Sequence, residues 1–266
     1  MLKMLMSFGD TIHRVVQMVV VAARFNARPK YGPQFGRCAA RLTGGLLVMM
    51  AMVLTSGAPT PLQAAGPAAK APPPPIRIVA YGDSLTAGYG VGPADAFPVQ
   101  LQRALSKRGY NVEVINAGVS GDTTAAALER FEWAVPDGVD AAIVELGAND
   151  ALRGQDPAQA RRNLDTILTR LKGKGIAMLV AGIPAPRNWG DAYVKAFDGM
   201  FAELATIHGA ALYPFFLDGV ALQPSLTLPD GLHPNAKGIA IVVERIMPSV
   251  VALIAEVEAK RQKAGQ

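Results

Sequence analysis

The sequence has a single cysteine, Cys38, and three histidines, His13, His208 and His233. One thiol excludes an internal disulfide framework. Cys38 also precedes the apolar stretch Leu42–Leu54, whereas a lipoprotein cysteine would follow one. No His/Cys spacing matches a zinc site. A long membrane-spanning run is missing too, since Leu42–Leu54 falls short of the ~20 apolar residues a spanning helix needs. The bulk of the chain has no excess of basic charge. Residues 1–75 carry eight Lys and Arg against one acidic residue, Asp10, and the remainder carries 18 against 20. The formal +5 is therefore a property of the N-terminus, and a nucleic-acid-binding core is excluded. No internal repeat of solenoid period is present.

The N-terminal 75 residues read as an export segment and linker. Arg37 and Arg41 flank Leu42–Leu54, and small residues follow, with candidate cleavage sites at Ser56-Gly57-Ala58 and Leu62-Gln63-Ala64. Either translation starts downstream of Met1, near that basic cluster, or the basic flank is unusually long. A retained membrane anchor, with Val15–Ala23 as a second apolar segment, is the alternative. Gly66–Pro75 contains four consecutive prolines, Pro72 to Pro75, and reads as an extended, semi-rigid spacer. A cleaved product would have no cysteine, which suits a periplasmic or secreted protein.

About 190 residues remain from Ile76, enough for one domain with a sizeable core. Strand-like apolar runs at Ile76–Tyr81, Val112–Asn116, Ala141–Leu146, Ile176–Ile183 and Ala211–Tyr213 alternate with helical patterns. The helices are expected at Phe97–Arg108, Thr123–Trp133, Pro157–Lys172, Asp191–His208 and Lys237–Ala259, the third opened by Asp156-Pro157 as cap and first-turn proline. This alternation predicts a three-layer α/β/α sandwich around a parallel sheet of about five strands.

Four polar blocks punctuate the pattern: Gly82-Asp83-Ser84-Leu85, Ser120-Gly121-Asp122-Thr123, Gly147-Ala148-Asn149-Asp150 and Asp230-Gly231-Leu232-His233-Pro234. The first three follow successive strands, so a parallel sheet brings them to one edge, where open α/β sheets bind ligands. Acyl transfer needs a nucleophile, a base, an orienter for the base and donors for an oxyanion. Ser84 is the candidate nucleophile, His233 the candidate base and Asp230, three residues earlier, its candidate orienter. Asn149 could aim a side-chain amide at the site, and Gly121 a backbone N–H. Each has a plainer alternative: helix cap for Ser84, surface histidine for His233, turn aspartate for Asp230, Asx-turn for Asn149, loop glycine for Gly121. His208, before Gly209, reads as a helix-end partner. Asp83, Asp122 and Asp150 read as structural hydrogen-bonders around the loops.

In this order the four blocks resemble the SGNH (GDSL) hydrolase superfamily. Gly82–Tyr89, Ser120–Thr123, Val144–Gly154 and Asp230–Asn235 resemble its bacterial thioesterase I, arylesterase and lysophospholipase subfamily, over roughly residues 76–255. Ala148 stands where some members have glycine, and Ser84 lacks the Gly-x-Ser-x-Gly elbow of ordinary lipases. The resemblance implies a flavodoxin-like fold. It implies a Ser84–His233–Asp230 triad, an oxyanion hole made by the Ser84 and Gly121 N–H groups with the Asn149 amide, and a substrate-lining segment at Pro184–Gly190. The expected protein is an exported monomer that cleaves small to medium acyl esters or thioesters, lysophospholipids among them. It needs no cofactor or metal and makes no more than transient membrane contact. Carbohydrate O-deacetylation and non-catalytic lipid or carbohydrate binding on the same fold are the alternative readings.

Overall fold

The computed structural model describes residues 73–264. The expectations for the export segment lie outside the described residues, apart from Pro73–Pro75 at the end of the spacer. Five parallel strands form one sheet: β1 (Ile76–Gly82), β2 (Val112–Gly118), β3 (Ala141–Glu145), β4 (Ala177–Ala181) and β5 (Ala211–Tyr213), in the order β2-β1-β3-β4-β5. β3 and β4 are buried along their whole length and β1 nearly so, which is why they read as unbroken apolar runs. The edge strands β2 and β5 are only partly covered.

Among the described residues seven α-helices lie between the strands and an eighth follows the last strand: α1 (Ser84–Ala87), α2 (Phe97–Lys107), α3 (Thr124–Glu129), α4 (Phe131–Ala134), α5 (Ala148–Leu152), α6 (Pro157–Gly173), α7 (Asp191–His208) and α8 (Ala236–Ala264). α2 and α8 pack together, with α8 lying on β3, β4 and β5. α6 packs on α3 and α7, and α6 and α7 meet β4. The expected α/β/α sandwich is therefore the observed one. α8 is long and apolar enough to cross a membrane, yet Ile239, Val242, Ile246, Val250 and Leu253 are buried in the core.

One expected helix is two. The run Thr123–Trp133 breaks at Arg130, whose backbone leaves helical geometry with ψ 4°. The side chain explains the break. Arg130 is buried, pairs with Asp122, and donates to the carbonyl oxygens of Ala117 at 2.8 Å and Gly82 at 2.8 Å. Its guanidinium also lies 4.6 Å from the centre of the Tyr81 ring. Thus one buried cation ties the carboxyl ends of β1 and β2 to the α3–α4 junction. His208 is the last residue of α7, as expected, but the contact its buried ring makes is with another helix, Nε2 lying 2.7 Å from Asp165 Oδ1 of α6.

A 2-1-3-4-5 sheet changes winding direction between β1 and β3. A crevice at their carboxyl ends is the predicted ligand position for such a sheet. β1 ends at Gly82 and β3 at Glu145, so the Ser84 and Asn149 segments leave the sheet side by side, with Gly82 paired to Glu145.

Candidate active site

Ser84 opens α1, a single turn built by its neighbours. The Asp83 side chain caps it by accepting the Leu85 N–H at 3.0 Å. Gly88 closes it in left-handed geometry, φ 86°, with its N–H on the Ser84 carbonyl. The turn is pressed close to β2. A Cβ on Gly118 would lie 2.3 Å from the Ala87 nitrogen, so residue 118 cannot carry a side chain.

The third polar partner arrives from 149 residues away. His233 Nε2 lies 2.8 Å from Ser84 Oγ, and His233 Nδ1 lies 2.7 Å from Asp230 Oδ2. Asp230 Oδ1 accepts the backbone N–H groups of Leu232 at 2.9 Å and His233 at 3.0 Å. These backbone bonds, with the imidazole contact, hold the Asp230 carboxyl down at about 2. It is therefore ionised throughout the neutral range, although its side chain is partly exposed. The loop is pinned at its base. Leu228 N–H donates to the His233 carbonyl at 2.7 Å, and Thr227 bridges to Pro234. Asn235 then caps α8 by accepting the Lys237 and Gly238 N–H groups, while its amide donates to the Ser225 and Thr227 carbonyls. Tyr89 lies against the imidazole, ring centres 4.5 Å apart.

Asn149 lies on α5, whose first residue follows Gly147 at φ 117°. Its Nδ2 donates one hydrogen to Asp83 Oδ2 at 3.2 Å and has a second to give, and the residue lines the cavity beside Ser84. Asp83 is fully buried, and burial pushes its carboxyl up to about 6. Gly121, at φ 89°, sits in the turn before α3, and its carbonyl accepts from Arg153 at the end of α5 at 3.0 Å. Asp150 ties α5 to α3 through the Thr124 N–H and hydroxyl, at 2.8 and 2.7 Å, and burial raises its carboxyl. The three loop aspartates are hydrogen-bonded as the sequence suggested.

A cavity of about 410 Å³ opens beside Ser84, Asn149 and His233. Its wall is mostly apolar, with Leu85, Ala148, Ile183, Phe215 and Leu217 among the residues facing it. Gly121 is outside that lining. The segment Pro184–Arg187 supplies one wall, as expected. The chain just beyond it is latched to α5 and to the turn after it: Trp189 Nε1 donates to the Ala151 carbonyl at 2.8 Å, and the Tyr193 hydroxyl to that of Gln155 at 2.9 Å. Among the described residues no group of three or more His, Cys, Asp or Glu side chains is placed to hold a metal.

Sequence reasoning passed over Asn235, Tyr89, Arg130 and Glu145. Asn235 had a usable signal, a capping residue directly before the closing helix. The other three act through partners far along the chain; Tyr89 and Glu145 fall inside the blocks that carry the resemblance, but nothing local gives them a role, and Arg130 lies outside every block.

A hydroxyl, an imidazole and a carboxylate in series, at the carboxyl edge of a 2-1-3-4-5 parallel sheet, define a serine hydrolase on a flavodoxin-like fold. The chain belongs to the GDSL-like Lipase/Acylhydrolase family, which it matches over residues 80–241. It is 34% identical to Esterase TesA of Pseudomonas aeruginosa, over 66% of this chain and 89% of that protein. It is 36% identical to Thioesterase 1/protease 1/lysophospholipase L1 of Escherichia coli, over 59% of this chain and 75% of that one. Among solved structures it is similar to AlinE4, an SGNH-hydrolase family esterase, with 45% identity, a TM-score of 0.57, and 67% and 96% of the two chains covered. It is also similar to the psychrotrophic esterase EstA from Pseudoalteromonas sp., inhibited there by monoethylphosphonate, with 28% identity, a TM-score of 0.64, and 68% and 99% covered.

Proposed function

We propose that this protein hydrolyses carboxylic esters and acyl thioesters through an acyl-enzyme on Ser84. The observation that carries the reading is the unbroken series Ser84 Oγ–His233 Nε2 at 2.8 Å and His233 Nδ1–Asp230 Oδ2 at 2.7 Å. His233 takes the hydroxyl proton as Oγ bonds to the carbonyl carbon. The negative charge moves to the carbonyl oxygen, where the Ser84 and Gly121 N–H groups and the free Asn149 amide hydrogen receive it. Collapse breaks the bond to the alcohol or thiol, which leaves with the proton from His233. Water then attacks the acyl-Ser84 ester by the same route in reverse and releases the carboxylic acid. Asp230, ionised at neutral pH, holds one imidazole nitrogen as the donor and stabilises the cation formed in each step.

The apolar cavity beside Ser84 favours an acyl chain over a sugar, which supports esterase and thioesterase activity over carbohydrate deacetylation. The relatives named as esterase, arylesterase and thioesterase/lysophospholipase support the same reading. A chain-length series of p-nitrophenyl esters and acyl thioesters tests it. Turnover is expected for small to medium acyl chains. A preference for an acetylated sugar contradicts the reading.

Export to the periplasm or medium belongs to the same proposal and rests on Arg37, Arg41 and Leu42–Leu54. Mass spectrometry of the natural protein is expected to find a start between about Pro59 and Gly66. An intact Met1 on membrane-bound protein indicates a retained anchor instead.

A further inference from the structure

Glu145, the last residue of β3, is fully buried beneath the site. One carboxyl oxygen, Oε2, accepts the Thr86 hydroxyl at 2.8 Å and the Asp83 N–H at 3.4 Å. The other, Oε1, is buried and has no partner among the described residues. Thr86 and Asp83 lie on either side of Ser84, so one oxygen grips the nucleophile turn at two points. Glu145 also begins the run Glu145-Leu146-Gly147-Ala148-Asn149 that delivers the oxyanion amide. The carboxyl thus spans the two segments that must agree for Ser84 N–H and Asn149 to aim at one point.

Residue 82 confirms that the approach is built in. A Cβ there would lie 2.1 Å from Thr86 Oγ1, 2.6 Å from Glu145 Oε2 and 2.7 Å from the Glu145 carbonyl oxygen. Only glycine admits the carboxyl.

Among the described residues, none of the groups that act on the Glu145 carboxyl is a cation. The Asp83 carboxyl faces it from the β1–α1 turn, and that group is also buried. Arg130, which reaches the Gly82 carbonyl at the end of β1, is spent on that oxygen, on Asp122 and on the Ala117 carbonyl. His233 and Asp122 act on Asp83, Asn149 donates to Asp83, and Asp150 on α5 is bound to Thr124. Two adjacent buried carboxylates without a countercharge cannot both ionise cheaply. Burial first, and then the Asp83 charge, push the Glu145 carboxyl well above its usual range.

We propose that Glu145 is a positioning residue that works as a neutral carboxyl, holding the Ser84 turn and the Asn149 segment in one register for acyl transfer. The inference rests on the Ser84 reading above and adds a residue that touches neither substrate nor imidazole.

Two variants separate a positioning role from a merely structural one. Glu145→Gln keeps an acceptor oxygen without a titrating group, and Glu145→Ala removes the grip. On p-nitrophenyl esters, Gln is expected to keep kcat within about threefold, and Ala to lose ~10²-fold in kcat with KM nearly unchanged, since misaligned oxyanion donors are felt in the transition state. Phosphonate labelling of Ser84 should slow in parallel. The pH dependence of stability has a definite sign. The folded-state value lies above the unfolded one, so the contribution is present in acid and is lost as pH rises through that interval. The thermal midpoint of wild type should therefore fall relative to that of Glu145→Gln as pH rises above the ordinary carboxylate range.

Loss of kcat in Gln equal to that in Ala overturns the neutral form, as does a midpoint difference that stays constant with pH. Wild-type kcat in Ala overturns positioning. If Ala does not fold, Thr86→Val, lacking only the hydroxyl, is expected to lose about tenfold in kcat, and an unchanged kcat overturns the proposal. An active, labelled wild type confines any failure to Glu145, whereas an inactive, unlabelled wild type overturns both readings.

Discussion

Ser84 and His233 share one proton at 2.8 Å, so their contributions to rate cannot be separated by removing them one at a time. Ser84→Ala and His233→Ala should each lower kcat by ~10⁴-fold or more, and the double variant should lose little beyond that. Circular dichroism should be unchanged, since neither side chain packs in the core. Losses that multiply in the double variant mean the two act separately. On the proposed path Asn149 acts on the oxyanion. Asp83 already holds one of its amide hydrogens, so the side chain is oriented before substrate arrives. Asn149→Ala is expected to cut kcat by ~10²–10³-fold and leave KM close to wild type. A variant altered only in KM makes Asn149 a binding residue. These assignments were open to sequence reading because each functional side chain follows an apolar run or precedes the closing helix. Asp83's hold on Asn149 was not, because the pair is 66 residues apart and both side chains have ordinary local roles.

Arg130 shows where reading by element stops. The periodicity of Thr123–Trp133 is helical, and nothing in that window marks a break. The break comes from carbonyl oxygens on β1 and β2 that a buried guanidinium reaches. The strands were legible for the opposite reason. β1, β3 and β4 are covered on both faces, so their burial is written as continuous apolar sequence. Arg130→Ala leaves Asp122 as a buried anion and two carbonyls without their donor. We expect it to lower unfolding free energy by about 3–5 kcal/mol in denaturant titration. A loss below about 1 kcal/mol would mean that the pair is solvated, as exposed ion pairs are.

For the molecule as a whole, the described fold is fastened just ahead of β1. Arg261, near the end of α8, donates to the carbonyls of Pro74 at 2.9 Å and Pro75 at 3.0 Å and pairs with Asp140 at 2.8 Å. A chain beginning at Ala71 retains all three contacts. It is expected to be soluble, to elute as a monomer in gel filtration and to keep full esterase activity. A chain beginning at Ile76 loses both proline carbonyls and should unfold at a free energy lower by about 1 kcal/mol. Equal stability of the two would show that the clasp contributes nothing. The architecture follows from alternation along the sequence, whereas this clasp joins residues 187 apart and is visible only in the fold.

The central claim is that Ser84 carries the acyl group. The direct measurement is mass spectrometry of the protein after a fluorophosphonate, with the labelled peptide sequenced. One adduct per chain on Ser84, formed in step with loss of esterase activity and nearly abolished in His233→Ala, is the predicted result. Esterase activity that survives complete modification of Ser84, or an adduct on another residue, contradicts it.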